Sequence, residues 1–318
     1  MMNTTSIDAV DNILSSVVRH DQYNKALNDF EYVTVMSERG KPKGFLLEGP
    51  PGVGKTSLAE EILRENPPYR GDEAEVHRVV SFSMPAIPTI KGVCKMILNA
   101  MDRPYLKNDD EVDLSLAVVT LFIELKVANV IIDEAHHLLK TNKKSNKEVA
   151  NWLKALMNNA GVSITLIGVP CVGKLLEDSG ELRRRFSRRI SLKCFSAEDS
   201  NGHKKGPETQ QLANIIGKLI EDSGFKGDVS YLYDESTLKS ICHATDGRLG
   251  YIGPLLGESI RNAIEDKSYK LSKKHFSNAF INEIWSEATP KDNPFSGKFQ
   301  VRPLTDKGEP FYDEDQTV

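Results

Sequence analysis

Gly49-Pro-Pro-Gly-Val-Gly-Lys-Thr56 is the stretch on which the reading of this 318-residue chain turns. Its eight positions fit G-x-x-x-x-G-K-T, the P-loop pattern. Gly44-Phe-Leu-Leu-Glu48, just before it, is an apolar run short enough for a buried strand. Ser57-Leu-Ala-Glu-Glu-Ile-Leu-Arg64, just after it, places Leu58 and Ile62 four apart, on one helix face. A strand, the loop and a helix, in that order, form the context in which the pattern holds a nucleoside triphosphate. Gly52 and Gly54 let the backbone wrap a phosphate with its N–H groups turned inward, and the helix N-terminus adds partial positive charge. Lys55 reaches the outer phosphates and the Thr56 hydroxyl is a ligand for Mg²⁺. The candidate nucleotide-binding residues are therefore Gly49, Pro50, Pro51, Gly52, Val53, Gly54, Lys55, Thr56 and Ser57.

The rest of the chain repeats the alternation. Val76–Phe82, Val130–Glu134, Ser163–Gly168 and Arg189–Leu192 are further strands, separated by helices over 88–98, 114–126 and 148–158. Strands separated by helices imply an α/β fold with a parallel five-stranded sheet and crossovers. Residues 8–36 have the spacing of an amphipathic helix. From 209 to 287 the pattern is helical only, with helices at 209–222, 235–244, 251–266 and 273–287. The expected organisation is an N-terminal helical segment (1–40), an α/β nucleotide-binding domain (41–195), a helical lid (208–288) and a disordered tail (289–318). No apolar run nears the ~20 residues that span a bilayer, so no membrane partner is expected. Cys94, Cys171, Cys194 and Cys242 form no C-x-x-C pair and fit a reduced, cytoplasmic protein. The net charge of −4 means that nucleic acid would have to be held by local basic patches.

Val130-Ile-Ile-Asp-Glu-Ala-His136 is the second chemical motif, an apolar strand ending in two carboxylates, the Walker B pattern. In parallel sheets such a strand tip lies at the ligand-binding carboxyl edge. Asp133 is the expected Mg²⁺ ligand and Glu134 the residue that polarises the attacking water. Asp133-Glu-Ala-His136 also spells a helicase motif, but residues 196–288 are too few and too helical for a second nucleotide-gripping domain. His136 and His137 are not read as a metal site, because adjacent residues of a helix or strand face different ways.

Glu181-Leu-Arg-Arg-Arg-Phe-Ser-Arg-Arg189 packs five arginines into nine residues. An arginine finger completing a neighbour's γ-phosphate site, a contact to the DNA backbone and a solvated basic turn all fit. Position, after the fourth strand and before Phe, favours the finger, with Arg184 and Arg185 the candidates. Leu139-Lys-Thr-Asn-Lys-Lys-Ser-Asn-Lys147 is expected to be a loop. Its Lys140, Lys143, Lys144 and Lys147 suit a phosphate backbone without base readout, or simply solvent. Lys91, Arg103 and Lys107 are the next candidates for DNA. In the lid, Thr245-Asp-Gly-Arg-Leu-Gly250 offers Arg248 as a γ-phosphate sensor or as an ordinary inter-helix turn.

These motifs, in this order, resemble those of AAA+ ATPases, and within them the TniB/TnsC family of transposition regulators. The narrower resemblance rests on Ser83-Met-Pro-Ala-Ile-Pro-Thr-Ile-Lys-Gly92, Asp102-Arg-Pro-Tyr105, Gly247-Arg-Leu-Gly-Tyr-Ile-Gly-Pro-Leu-Leu256 and Asn293-Pro-Phe295. It implies an ATP- and Mg²⁺-dependent homo-oligomer, a ring or helical filament on duplex DNA that links a target-selector protein to a transposase. The alternative is a nucleotide-gated scaffold or loader in another DNA-handling or secretion pathway. Two positions depart from the AAA+ pattern. Val169 stands where a polar sensor is common, and Arg248 does not have the usual G-x-x-R spacing. Val169 suits slow, switch-like hydrolysis, and the spacing at Arg248 sets it apart from the usual lid sensor.

Overall fold

The computed structural model describes residues 4–72, 74–106, 108–140, 143–177, 180–197 and 207–312. In chain order the helices are α1 (Thr4–Leu14), α2 (Asp21–Glu38), α3 (Lys55–Glu65), α4 (Ile90–Ala100), α5 (Glu111–Glu124), α6 (His137–Lys140), α7 (Lys143–Asn159), α8 (Val172–Glu177), α9 (Gly180–Arg185), α10 (Pro207–Ser223), α11 (Glu235–Thr245), α12 (Leu249–Glu265) and α13 (Lys273–Glu283). The strands of the main sheet are β1 (Gly44–Glu48), β2 (Val79–Ser83), β3 (Asn129–Asp133), β4 (Ser163–Gly168) and β5 (Arg188–Ser191). The chain divides into two compact units. One is a sheet unit, Asp21–Pro50 with Lys55–Leu192. The other is a helical unit, Met1–His20 with Pro51–Gly54 and Lys193–Val318.

In the sheet unit the strand order is β2-β3-β4-β1-β5, and every neighbouring pair is parallel. The expected five-stranded parallel sheet is present. Parallel strands need both faces covered, which is why β1, β3 and β4 are apolar almost throughout. Phe45, Leu47, Ile131 and Ile164 are fully buried. The register aligns Glu48 with Gly168 and Ser191, and Ser83 with Asp133, so the carboxyl ends form one edge. Thr89 caps α4 by accepting from the Gly92 N–H, and Asp110 caps α5 through the Asp113 N–H. The second strand differs from expectation. Val76 belongs to a short hairpin that pairs Glu75–Val76 with Tyr69–Arg70, and the sheet strand starts at Val79.

Helix α2 seats on the sheet through Tyr23, Ala26, Phe30, Val33 and Thr34, spaced as one helix face. A buried polar chain accompanies it: Thr165 Oγ1 donates to Asn129 Oδ1 (3.0 Å), and Asn129 Nδ2 donates to Thr34 Oγ1 (2.8 Å). Each group is satisfied, so burial is tolerated.

The helical unit has its own core, in which α1 packs on α12. Val10 lies against Gly257, and Ile13 against Gly253. Two glycines four apart leave room for a close helix crossing. The expected single helix over 8–36 is thus two helices in two units, broken after Leu14. Periodicity missed the break because Val17 and Val18 continue the apolar pattern through it. The expected disordered tail is also corrected over 289–312. Phe295, Leu304 and Phe311 are 2%, 1% and 2% exposed within this core. Four well-buried apolar residues per turn are not needed to order a segment; three anchors suffice here. Among the described residues, no helix is long and apolar enough to cross a membrane.

Candidate nucleotide site

The P-loop leaves β1 and enters α3, and its glycines adopt what L side chains avoid: φ is +78° at Gly52 and +99° at Gly54. Gly49 N–H donates to the Gly168 carbonyl (3.2 Å), tying the loop's start to the end of β4. Lys55 Nζ donates to the carbonyls of Gly49 (2.7 Å) and Pro50 (2.8 Å), so its ammonium lies across the loop's own mouth. Glu61, on α3, accepts from Tyr23 of α2 and is buried, which anchors the helix that carries Lys55 and Thr56.

Asp133, at the end of β3, faces this loop. The Thr56 hydroxyl lies beside its carboxylate, and the Glu134 N–H donates to Asp133 Oδ1 (2.7 Å). Burial pushes the Asp133 pKa above the usual aspartate value, and the nearby Glu134 charge adds to this. The Glu134 N–H bond, Lys55 and Thr56 oppose it. The hydroxyl and carboxylate form the hard oxygen pair that suits Mg²⁺. A burial-destabilised carboxylate beside them gains from a bound cation, so these residues fit that ion.

Glu134 has φ +54°, a left-handed conformation that costs a non-glycine residue about 1 kcal/mol. The turn is pinned by Met84 N–H to Asp133 O (2.8 Å) and Ala135 N–H to Ile167 O (2.9 Å). The Glu134 carboxylate lies 3.1 Å from His136 Nδ1, and His137 Nδ1 donates to Met84 O (2.8 Å). Donor atoms of Glu134, His136 and His137 all fall within 4.8 Å of one another. The expectation that the two histidines face apart is corrected, because a turn here replaces regular structure. The Glu134–His136 pair accounts for the cluster without an ion. Thr165 is fully buried in the Asn129 chain, and Val169 is the side chain just past β4.

Four arginines of the cluster hold partners. Arg183 donates to Glu177 O, Arg185 to Asn158 Oδ1 (2.7 Å) and Arg189 to Phe186 O. Arg188 pairs with Asp29 (2.6 Å) and lies over the Tyr32 ring. Arg184 is exposed on α9. The lysine loop is corrected in part, since Lys143, Lys144 and Lys147 lie on α7. Lys147 is exposed. The side chains of Lys140, Lys143 and Lys144 fall outside the described parts, as does Lys107 altogether. Lys91 donates to Asp109 O, and Arg103 pairs with Glu75 (3.3 Å). Both are spent on their own chain.

The chain matches the bacterial TniB protein family over residues 13–195, more than half its length. It belongs to the TniB family. Among curated proteins no sequence matches it. Solved structures do. Cdc6p from Pyrobaculum aerophilum superposes with a TM-score of 0.60 at 13% identity, covering 88% of this chain and 72% of that one. The Aeropyrum pernix ORC2 protein, solved as ADPNP–ADP complexes, gives 0.57 at 14%, covering 84% and 68%. Drosophila ORC bound to DNA gives 0.56 at 12%, covering 90% and 67%. The fold of this TniB chain, a parallel five-stranded sheet flanked by helices with a helical C-terminal region, is accordingly the one these Cdc6 and ORC structures share.

In the helical unit of the TniB chain, Arg248 is 7% exposed and is held by Asp246, at 3.0 Å from Nε and 2.8 Å from Nη2. Its guanidinium is engaged within the unit rather than presented as an open sensor. The loop tip belongs to this unit, and Gly250 N–H donates to Gly52 O (2.8 Å). Sequence reasoning missed Gly250 and Tyr251, because they meet Gly52 from about 200 positions along the chain. No local pattern carries that contact. Glu48 was missed as well. It lies half-buried against Gly173 at the strand end next to the loop, and burial raises its pKa.

Proposed function

We propose that this TniB-family protein is a DNA-associated AAA+ ATPase that works as an assembly switch in transposition. The observation that carries the reading is the convergence of Lys55, Thr56, Asp133 and Glu134 at one carboxyl edge, with the Thr56 hydroxyl beside the Asp133 carboxylate. The backbone of Gly49–Thr56 would cradle the phosphates of ATP, and Lys55 would exchange its loop carbonyls for the outer phosphates. Thr56 and Asp133 would hold Mg²⁺, which neutralises phosphate charge when bound. Glu134 would orient and polarise the attacking water. Val169 and the buried Thr165 offer no polar group beside it, which supports slow turnover.

Of the two finger candidates, Arg184 is the better placed, because Arg185 is tied to Asn158 while Arg184 is exposed. An arginine reaching a neighbour's γ-phosphate makes ATP part of the subunit interface, so ATP favours a homo-oligomer and hydrolysis releases it. Duplex DNA is the proposed track, held through Lys147 and its neighbours on α7. A transposase and a target selector are the proposed protein partners.

Turnover measured with and without duplex DNA, alongside sedimentation, tests this. Glu134→Gln should lower turnover by about 10²- to 10³-fold and leave an ATP-bound assembly on DNA. Arg184→Ala should bind ATP as a monomer and fail to assemble. Unchanged turnover in the first variant, or normal ATP-dependent assembly in the second, removes that residue from its role.

A further inference from the structure

The C-terminal segment is folded as a stapled loop. Arg302 donates to Glu309 (2.8 Å) and to Asp292 (3.2 Å), closing residues 292–309 on themselves. Phe311 N–H donates to Leu304 O (3.1 Å), so the aromatic ring is presented from a fixed backbone. That ring meets Tyr251 edge-on, with centroids 5.2 Å apart at 81°. It also lies 5.4 Å from the Arg248 guanidinium carbon. Both contacts are of kinds worth more than the area they bury.

Arg248 and Tyr251 open α12, and they flank the P-loop tip. A methyl group at Gly52 would touch Arg248 Cβ at 3.7 Å and the Tyr251 ring at 3.8 Å. Between them, Gly250 N–H holds the Gly52 carbonyl at 2.8 Å. In a trans peptide the C=O and the following N–H point in opposite directions. Fixing Gly52 O therefore fixes where the Val53 N–H aims, and that N–H belongs to the phosphate cradle.

We infer that Phe311 is a positioning residue for the nucleotide site: the seated C-terminal segment holds Arg248 and Tyr251, and with them Gly250, against the P-loop tip, so that ATP affinity depends on residues 289–312. This rests on the ATP-binding reading above. Any partner that lifts the segment would lower ATP affinity without touching the phosphates.

The test is titration of the full chain with a fluorescent ATP analogue, with thermal midpoints measured on the same samples. Phe311→Ala should raise Kd about three- to tenfold. Phe311→Tyr keeps the ring and should bind like the wild type. Phe311→Leu refills the apolar space, so its midpoint should recover while its Kd stays raised. Arg302→Gln, remote from the loop, should raise Kd in the same direction by less. In an Arg248→Ala, Tyr251→Ala background, Phe311→Ala should add no further loss. If Phe311→Ala binds like the wild type, or Phe311→Leu restores affinity together with the midpoint, Phe311 is a core residue only and the inference fails. If the wild type does not bind the analogue, or Lys55→Ala binds it equally well, the ATP reading itself fails and takes this inference with it.

Discussion

The carboxyl edge of the sheet and the core of the helical unit are built by opposite means. At the sheet edge, groups are held in states that cost stability. Asp133 is a carboxylate pushed up by burial, and Glu134 stands at φ +54°. Each is written in a short window, 49–57 or 130–136. The core of the helical unit is held mainly by apolar groups that come from far apart: Ile13 against Gly253, Phe311 against Tyr251. Positive φ is not confined to the edge: Asp246 (φ +50°) and Lys267 (φ +53°) of the helical unit stand just past their helices, whereas Glu134 stands beside a buried carboxylate. The two regions should therefore fail differently, one in binding and the other in folding.

The sharpest break of that contrast is Lys55→Ala. It should weaken ATP binding at least about a hundredfold by removing the charge that meets the outer phosphates. The melting midpoint without nucleotide should hardly move. A matching loss of stability would mean that the lysine's bonds to Gly49 and Pro50 are structural.

Gly247→Ala is the converse. Gly247 has φ +64°, and an added methyl would sit 1.9 Å from the Phe195 carbonyl oxygen. The helical unit should lose about 3 kcal/mol or more, read by chemical denaturation. Hydrogen exchange should place the loss in α11 and α12 and spare β1, β3 and β4. Uniform loosening across both units would erase the distinction.

The smallest effect is in acid. Arg302 holds the Glu309 carboxyl below its usual value, and hydrogen bonds from Thr289, with Arg302, do the same for Asp292. Groups whose folded pKa is depressed stabilise the fold above their unfolded values and lose that contribution as pH falls through the folded ones. The window therefore opens below the ordinary glutamate value of 4.5. The contribution should be no more than about 1 kcal/mol, since Arg302 is a third exposed. Arg302→Gln should flatten the acid slope of the thermal midpoint. An unchanged slope would mean that other carboxylates set it.

Much was legible from residues alone. The five strands, their parallel pairing and the Walker motifs follow from apolar runs and from glycine and carboxylate positions that physics restricts. The lysine stretch was misread as a loop throughout, because polar composition cannot distinguish a solvated helix face from a loop. The break after Leu14 was hidden by Val17 and Val18. Arg184 and Arg185 are equivalent in sequence and differ only in that Asn158 lies within reach of one. The tail was read as disordered because its three anchors are spread over residues 295–311 among charges.

The sequence by itself therefore determined that a P-loop is present and which residues form the loop and the strand end that carries Asp133. Local backbone demands, such as positive φ at Gly52 and Gly54, leave few alternatives. Only the tertiary structure decided that Thr56 comes beside Asp133, that Glu134 leans on His136, and that Phe311 sits over Arg248. Such pairings follow from strand order and helix packing, and those bring together residues whose separation along the chain carries no periodic signal.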